Sequence, residues 1–236
     1  MEGHSMSIYI TGDTHRDFSR IYNFCERKKT KDDIMIILGD AGINYYLFGM
    51  DDNLKAELNL MPITLFCIHG NHEERPFNIS TYEEREWHGD TVYVEPKYPG
   101  LIFAKDGEIY DFNGKKYIVI GGAYSVDKYI RLIRGYQWFE SEQPSDEIKA
   151  YVEKQLDKVG WHIDGVLSHT TPKKFEPTWA FLSSIDQSRV DKSTEEWLDK
   201  IEEKLDYKHW YAGHFHVDSQ EGSIKIMFRT IEKLSE

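Results

Sequence analysis

SIYITGDTH, residues Ser7–His15, is a short apolar run that stops at a glycine and then places Asp13 and His15 two positions apart. The same grammar returns in IMIILGD, Ile34–Asp40, and in ITLFCIHGNH, Ile63–His72. Apolar runs of this length, bounded by turn residues, read as buried strands over Ser7–Thr11, Ile34–Leu38 and Ile63–Ile68. The intervening Phe18–Lys29 and Asp51–Leu60 read as helices. Strand, helix, strand, helix, strand is the pattern of a parallel sheet. In such sheets ligands bind outside the carboxyl ends of the strands, where these polar clusters fall.

Working outward, further strands are expected at Lys116–Ile120, Gly165–Leu167 and Trp210–Ala212. Between Thr91 and Ile120 the strands shorten around turns at Asp106–Gly107 and Asn113–Gly114, the second a strong hairpin cue, so a partly antiparallel second sheet is expected there. Ser145–Val159 reads as a helix between Pro144 and Gly160, and Ser193–Leu205 as another, with Ser193 and Glu196 spaced as a capping box. Thr170–Asp191 has little periodicity and reads as a long ordered loop near the site. No linker or repeat divides the chain, so residues 7–236 read as a single α/β domain. Residues 1–6, including His4, read as a tag or disordered start without the basic and apolar regions of a signal peptide.

With 40% hydrophobic and 14% aromatic residues, the 236-residue chain can bury one large core. No apolar run approaches the roughly 18 residues a membrane span needs. Two cysteines, Cys25 and Cys67, are too few for a disulfide framework, so a reducing cytoplasm is expected. A net charge of −12 opposes wrapping a long nucleic acid, so any nucleotide substrate is expected to be small. Composition says nothing of oligomeric state.

Each polar cluster has a structural explanation when taken alone. Asp13 could cap a helix, Asp40 could be a turn residue, and His169 could be a core histidine. Together the order TGDTH, LGD, GNHE, SHT, GHFH sets seven ligand-type residues just after five expected strands, and coincidence accounts for that poorly. Gly12, Gly39, Gly70 and Gly213 precede four of them and are expected to permit the sharp turn from strand to loop.

These motifs resemble the calcineurin-like metallophosphoesterases, which carry GDxH, GD, GNHE or GNHD, a lone histidine and GHxH in this order. The likeness runs from Ile10 to His216. It implies two stacked mixed β-sheets flanked by helices, a four-layer α/β/β/α sandwich. It implies that Asp13, His15 and His216 hold one metal, that Asn71, His169 and His214 hold another, and that Asp40 bridges them. This mixed oxygen and imidazole set suits divalent transition ions, manganese first, with iron, zinc or nickel as alternatives. Two such ions acidify a bridging water for attack on phosphorus. His72 is similar to the family histidine that protonates or stabilises the leaving oxygen, and Asn71 would also touch substrate.

The pattern departs from the Ser/Thr protein phosphatase branch, where the second motif reads GDxVDRG. Here it reads GDAGIN, so Ile43 and Asn44 stand where that branch has its histidine-orienting Asp and phosphate-gripping Arg. GNHEER leans back toward that branch, with Arg75 able to bind phosphate or to pair with a neighbouring carboxylate among Glu73, Glu74, Glu83 and Glu84. Residues 121–145 look like the recognition insert of small bacterial and phage members, as does SHTTP around His169; Arg131 or Arg134 could replace the missing clamp, and Tyr124–Trp138 could stack a base. His69, His88, His162 and His209 are assigned no role. The expected activity is hydrolysis of a phosphomonoester or small nucleotide. The alternatives are a Ser/Thr protein phosphatase and a non-catalytic metal-binding scaffold.

Overall fold

Strict alternation along the first strand sorts its side chains between two cores. Ile8 and Ile10 enter one buried cluster while Tyr9 enters another, because successive residues of a strand face opposite sides of a sheet. The computed structural model describes residues 6–28 and 32–234. Residues 1–5 of the expected tag, with His4, and Lys29 of the first expected helix lie outside the described residues.

The first sheet has seven strands. β1 (Ile8–Thr11), β2 (Ile34–Ile37) and β3 (Thr64–Cys67) are parallel neighbours joined through α1 (Ser19–Arg27) and α2 (Asp52–Leu58). β6 (Leu101–Ala104) adds in parallel beside β3, and β5 (Asp90–Val94) and β4 (Glu83–Trp87) extend it antiparallel. The stretch from Thr91 to Ala104 was expected in the second sheet. It enlarges the first instead, because Leu101–Phe103 pair with Leu65–Cys67.

The second sheet has six strands. β7 (Ile109–Phe112) and β8 (Lys115–Ile120) form the hairpin, with Asn113 and Gly114 both at positive φ (56° and 82°), as a tight turn matched to strand twist requires. β9 (His162–Ser168), β10 (Asp206–Ala212) and β12 (Ile224–Ile226) continue it in parallel, and β11 (Ser219–Glu221) closes one edge antiparallel. β13 (Glu232–Lys233) pairs antiparallel with β1 on the first sheet. The middle core takes Ile8, Ile10, Ile36 and Phe66 from one sheet and Tyr110, Val119, Leu167 and Tyr211 from the other. Ile21 and Leu58 of the helices cover the outer face of the first sheet.

α4 (Asp146–Lys158) and α5 (Ser193–Lys204) cover the second sheet through Val152, Leu156, Leu198 and Ile201. The layers therefore run α/β/β/α. Full burial of a large aliphatic side chain contributes about 1.5–3 kcal/mol, so the middle core fixes the two sheets against each other and the outer two hold the helices on them. Ser145 caps α4 by accepting the Ile148 amide at 3.3 Å. The expected capping box at Ser193 does not form. Asp191 Oδ1 accepts the Ser193 amide at 2.9 Å, and Glu196 reaches outward to Lys173 at 2.6 Å. Between β9 and α5 the chain is irregular, with short 3₁₀ turns at Lys173–Phe175, Thr178–Ala180 and Gln187–Arg189.

Candidate metal centre

β1, β2, β3, β9 and β10 all deliver their carboxyl ends to one side of the molecule, and the loops that leave them are tied together by backbone hydrogen bonds. The amides of Thr14 and His15 donate to the Asp40 carbonyl at 3.2 and 2.8 Å, and the His214 amide donates to Asp13 Oδ1 at 2.9 Å. His15, Asp40, His214 and His216 adopt left-handed backbone conformations, with φ of 46°, 48°, 69° and 53°. Such conformations are costly for non-glycine residues and persist where the surroundings enforce them. Of the four glycines expected to permit these turns, Gly39 shares the conformation at φ 96°, whereas at Gly12, Gly70 and Gly213 the turn lies on the polar residues that follow. The glycine before Asn71 serves close approach: a side chain on Gly70 would overlap the Asp40 amide, and one on Gly39 would overlap the His169 ring.

Asp40 stands between two groups of donors. On one side His15 Nε2 and His216 Nε2 lie 2.7 Å apart, with Asp13 Oδ2 at 3.2 Å from His216 Nε2 and 3.7 Å from His15 Nε2. On the other, Asn71 Oδ1 lies 2.8 Å from His169 Nε2 and 3.1 Å from His214 Nδ1. Asp40 Oδ1 is 3.7 Å from His169 Nε2, and Asp40 Oδ2 is 3.8 Å from His15 Nδ1. The other six ligand-type residues of the motifs therefore stand around this one carboxylate.

The donors fit a cation. His169 Nδ1 donates to the Leu38 carbonyl at 2.7 Å, so in a neutral ring Nε2 carries a lone pair. Asn71 Nδ2 is directed to Ser125 Oγ at 2.9 Å, which turns Oδ1 toward His169. Two lone pairs facing each other at 2.8 Å repel unless a metal ion or a second ring proton lies between them. Asp13 Oδ2 is likewise buried with no hydrogen-bond partner. Burial penalises a charged Asp40, yet the nearby His72, His169 and His15 hold its carboxyl well below its ordinary value. Burial, reinforced by His169, pushes His214 down to about 3, leaving the ring neutral and able to donate a lone pair.

His72 lies at the edge of the cluster. Its amide donates to Asp40 Oδ1 at 2.8 Å, and its Nε2 is 3.8 Å from Asp40 Oδ2, 3.2 Å from Asn71 Nδ2 and 3.3 Å from Arg131 Nη2. Burial lowers its pKa; Asp40 opposes that and Arg131 adds to it. Arg131, in α3 (Lys128–Arg134), is held by both oxygens of Asp127 through Nε, at 2.8 and 2.9 Å.

The other arginines are placed differently. Arg75 is buried, ion-paired with Asp106, and donates through Nε to the Ser141 carbonyl at 2.8 Å; it lines a separate cavity with His69. Arg134 is exposed on α3. Ile43 is in the core and Asn44 accepts from the Tyr82 hydroxyl at 3.0 Å, so neither side chain serves the cluster. Trp138 does not line the cavity at the cluster: Lys128 Nζ sits 3.9 Å from its ring centroid, and its indole N–H donates to Glu142 at 2.8 Å. His88 is bonded to the Asp111 carbonyl, and His162 pairs with Asp206.

Ser125 belongs to no motif, and Glu73 entered only as the last letter of GNHE, with no role given to it. Glu73 is buried and accepts the amides of Ala41, Gly42 and Gly70 at 3.2, 3.1 and 3.4 Å, lacing the second and third loops together. Its place after the GNH triplet was a signal, whereas nothing local marks Ser125.

A cluster of carboxylates, imidazoles and an amide at the strand ends of a doubled sheet defines a metal-dependent hydrolase site. The model of the calcineurin-like phosphoesterase family matches residues 6–218, and the chain belongs to that family. It is a metal-dependent phosphoesterase, and the family uses divalent metal ions. No curated protein sequence matches it. The fold is similar to that of the phosphopantetheinyl hydrolase from Mycobacterium tuberculosis, with a TM-score of 0.52 and 13% identity over 96% of this chain and 89% of that one. A protein of unknown function from Aquifex aeolicus aligns with a TM-score of 0.36 and 13% identity over 73% of this chain and 82% of that one. Among the described residues no helix is long and apolar enough to cross a membrane.

Proposed function

We propose that the chain hydrolyses a small phosphomonoester, or a phosphodiester in a small molecule, with two divalent transition ions. Asp13, His15 and His216 would hold one and Asn71, His169 and His214 the other, with one oxygen of Asp40 offered to each. When bound, two such ions acidify water and neutralise phosphoryl oxygens. The observation that carries the reading is the convergence of both donor groups on the two faces of Asp40. Manganese matches the mixed oxygen and nitrogen donors best.

Within this reading His72 holds at Nε2 the proton that the leaving alkoxide takes. Asp40 accepts its backbone amide and so orients the His72 peptide, and Arg131 Nη2 lies close enough to Nε2 to share a phosphoryl oxygen with it. Arg131 is the clamp favoured by position. Arg75 is committed to Asp106, and Arg134 points to solvent-exposed surface. The core positions of Ile43 and Asn44 offer nothing to a phosphoprotein phosphatase.

Metal-free protein titrated with manganese, iron, zinc and nickel tests the proposal. Two ions per chain and hydrolysis of p-nitrophenyl phosphate are expected. Inactivity with every ion toward p-nitrophenyl phosphate, its bis ester and nucleotides would overturn it.

A further inference from the structure

The cavity of about 630 Å³ that contains Asp40, Asn71, His72, His214 and His216 does not end at them. It continues into a chamber walled by Ile130 of α3 and by Phe181, Leu182, Ile185 and Val190 of the irregular stretch before α5. A phosphoryl group needs none of these side chains. Ile130 and Leu182 remain 47% and 67% exposed, so the apolar wall is open to an incoming molecule rather than filled by the protein's own core. Phe181 stacks on Phe215 at 6.1 Å between centroids, and Phe215 lies between His214 and His216, which joins the wall directly to the metal centre.

Asp127, Glu176, Lys192 and Glu195 interrupt the apolar lining, and Glu195 does so in an unusual way. Glu195, in the first turn of α5, is 4% exposed and lines the same cavity. Its Oε1 accepts the Thr170 hydroxyl at 2.8 Å, and Thr170 directly follows His169. Its Oε2 is buried with no hydrogen-bond partner. Lys192, which lines the cavity as well, is paired with Glu176 at 2.5 Å. A buried carboxylate oxygen left without a donor forfeits its hydration, and such an oxygen in a cavity wall is a socket for a donor that arrives with a ligand.

We infer that this chamber binds the alcohol portion of the phosphoester and selects an apolar body ending in an N–H or O–H donor, which Glu195 Oε2 accepts. The inference rests on the phosphoesterase reading of the adjoining metal centre. It makes Glu195 a specificity-determining residue: it touches the far end of the substrate, remote from phosphorus. An aryl or alkyl amine and a nucleobase both offer this chemistry, with an apolar face and an N–H edge.

Two substrate pairs test it; the members of each differ in the donor, which is an ammonium in the first pair and a neutral amino group in the second. The first is 4-(2-aminoethyl)phenyl phosphate against 4-ethylphenyl phosphate; the second is adenosine 5′-monophosphate against purine riboside 5′-monophosphate. In the metal-loaded wild type, the donor-bearing member of one pair should have kcat/KM at least about tenfold higher, as a hydrogen bond to a charged group implies. The pair that discriminates identifies the source. In Glu195→Gln and Glu195→Leu that ratio should fall toward one; a purely structural role for Glu195 would lower both members alike and leave the ratio standing. Calorimetric titration with the phosphonate analogues of the same compounds reads the ratio without turnover, so loss of hydrolysis with every metal would sink the phosphoesterase reading while binding still judges the chamber. The wild-type ratios need no variant. Ratios near one for both pairs, in catalysis and in binding, overturn the inference.

Discussion

The floor and the rim of the same cavity are built by opposite rules. On the floor, the loops after the parallel strands are held so closely that Gly39 and Gly70 admit no side chain, and His15, Asp40, His214 and His216 are forced into left-handed backbone. On the rim, α3 has no buried residue, and Tyr129, Leu132 and Ile133 are exposed. Strain is affordable where a sheet anchors both ends of a loop, and reacting groups need such rigidity. A helix held by few buried contacts opens at low cost and can vary in sequence without disturbing the floor. On the proposed reading, the difference sets the reacting groups on the rigid floor and substrate choice in the open walls above it.

The largest test of that division is at the floor. Asp40→Asn should lower kcat/KM by about 10⁴-fold or more, because several kcal/mol of metal assistance disappear at about 1.36 kcal/mol per tenfold. Elemental analysis should show both ions weakened; two tightly held ions would break the bridging assignment. His72→Ala should keep its metals and lose about 10²–10⁴-fold in rate, the range for a proton donor. The loss should be greater for phenyl phosphate than for p-nitrophenyl phosphate. Equal losses would remove His72 from the acid role.

Arg75 sharpens the comparison from the side of stability. Arg75→Met leaves Asp106 buried and unpaired, so urea unfolding should show a loss of about 3–5 kcal/mol. The folded variant should keep its KM. A steep rise in KM with normal stability would return Arg75 to phosphate binding.

Glu73 links the floor to pH. Burial, with Asp40 adding to it, pushes the Glu73 carboxyl up to about 8, from about 4.5 in the unfolded chain. Between these values the folded protein keeps a proton that the unfolded chain has lost, so the folded state binds more protons and stability falls as pH rises. Urea midpoints of metal-free protein at pH 5 and pH 8 should show that fall, and Glu73→Gln should flatten it. An unchanged slope would mean that Glu73 is ionised in the fold.

The smallest effects belong to the rim. Arg131→Ala should cost about tenfold in kcat/KM, the scale of one hydrogen bond to a charged group. Arg134→Ala, a surface change, should shift stability by no more than about 0.5 kcal/mol and leave kcat/KM nearly unchanged. Reversed magnitudes would mean that α3 turns its other face to the substrate.

Much of the floor was legible because its information is local. A period of two along each strand assigns the inner and outer cores, and a polar residue just after a strand is carried to the sheet's carboxyl edge whatever the rest of the chain does. Residues 91–104 were misassigned to the second sheet because short strands report their own existence and not their neighbours; pairing of Leu101–Phe103 with β3 decides that. The expected capping box failed for a related reason, since Asp191 reaches the Ser193 amide first.

By itself, the sequence determined the apolar runs of β1, β2, β3, β8, β9 and β10, the helices α1, α2, α4 and α5, and the identity of Asp13, His15, Asp40, Asn71, His169, His214 and His216 as strand-end donors, while α3, β4 and β11 to β13 were not read from it. Tertiary structure alone decided that Arg75 meets Asp106, that Ser125 turns Asn71 toward His169, that Lys128 covers Trp138, and that Glu195 lines the cavity with one buried oxygen unpaired. The physical reason is range. A strand-end donor is positioned by backbone geometry within a few residues, whereas Asn71 and Ser125 are 54 positions apart and meet only after both sheets have packed.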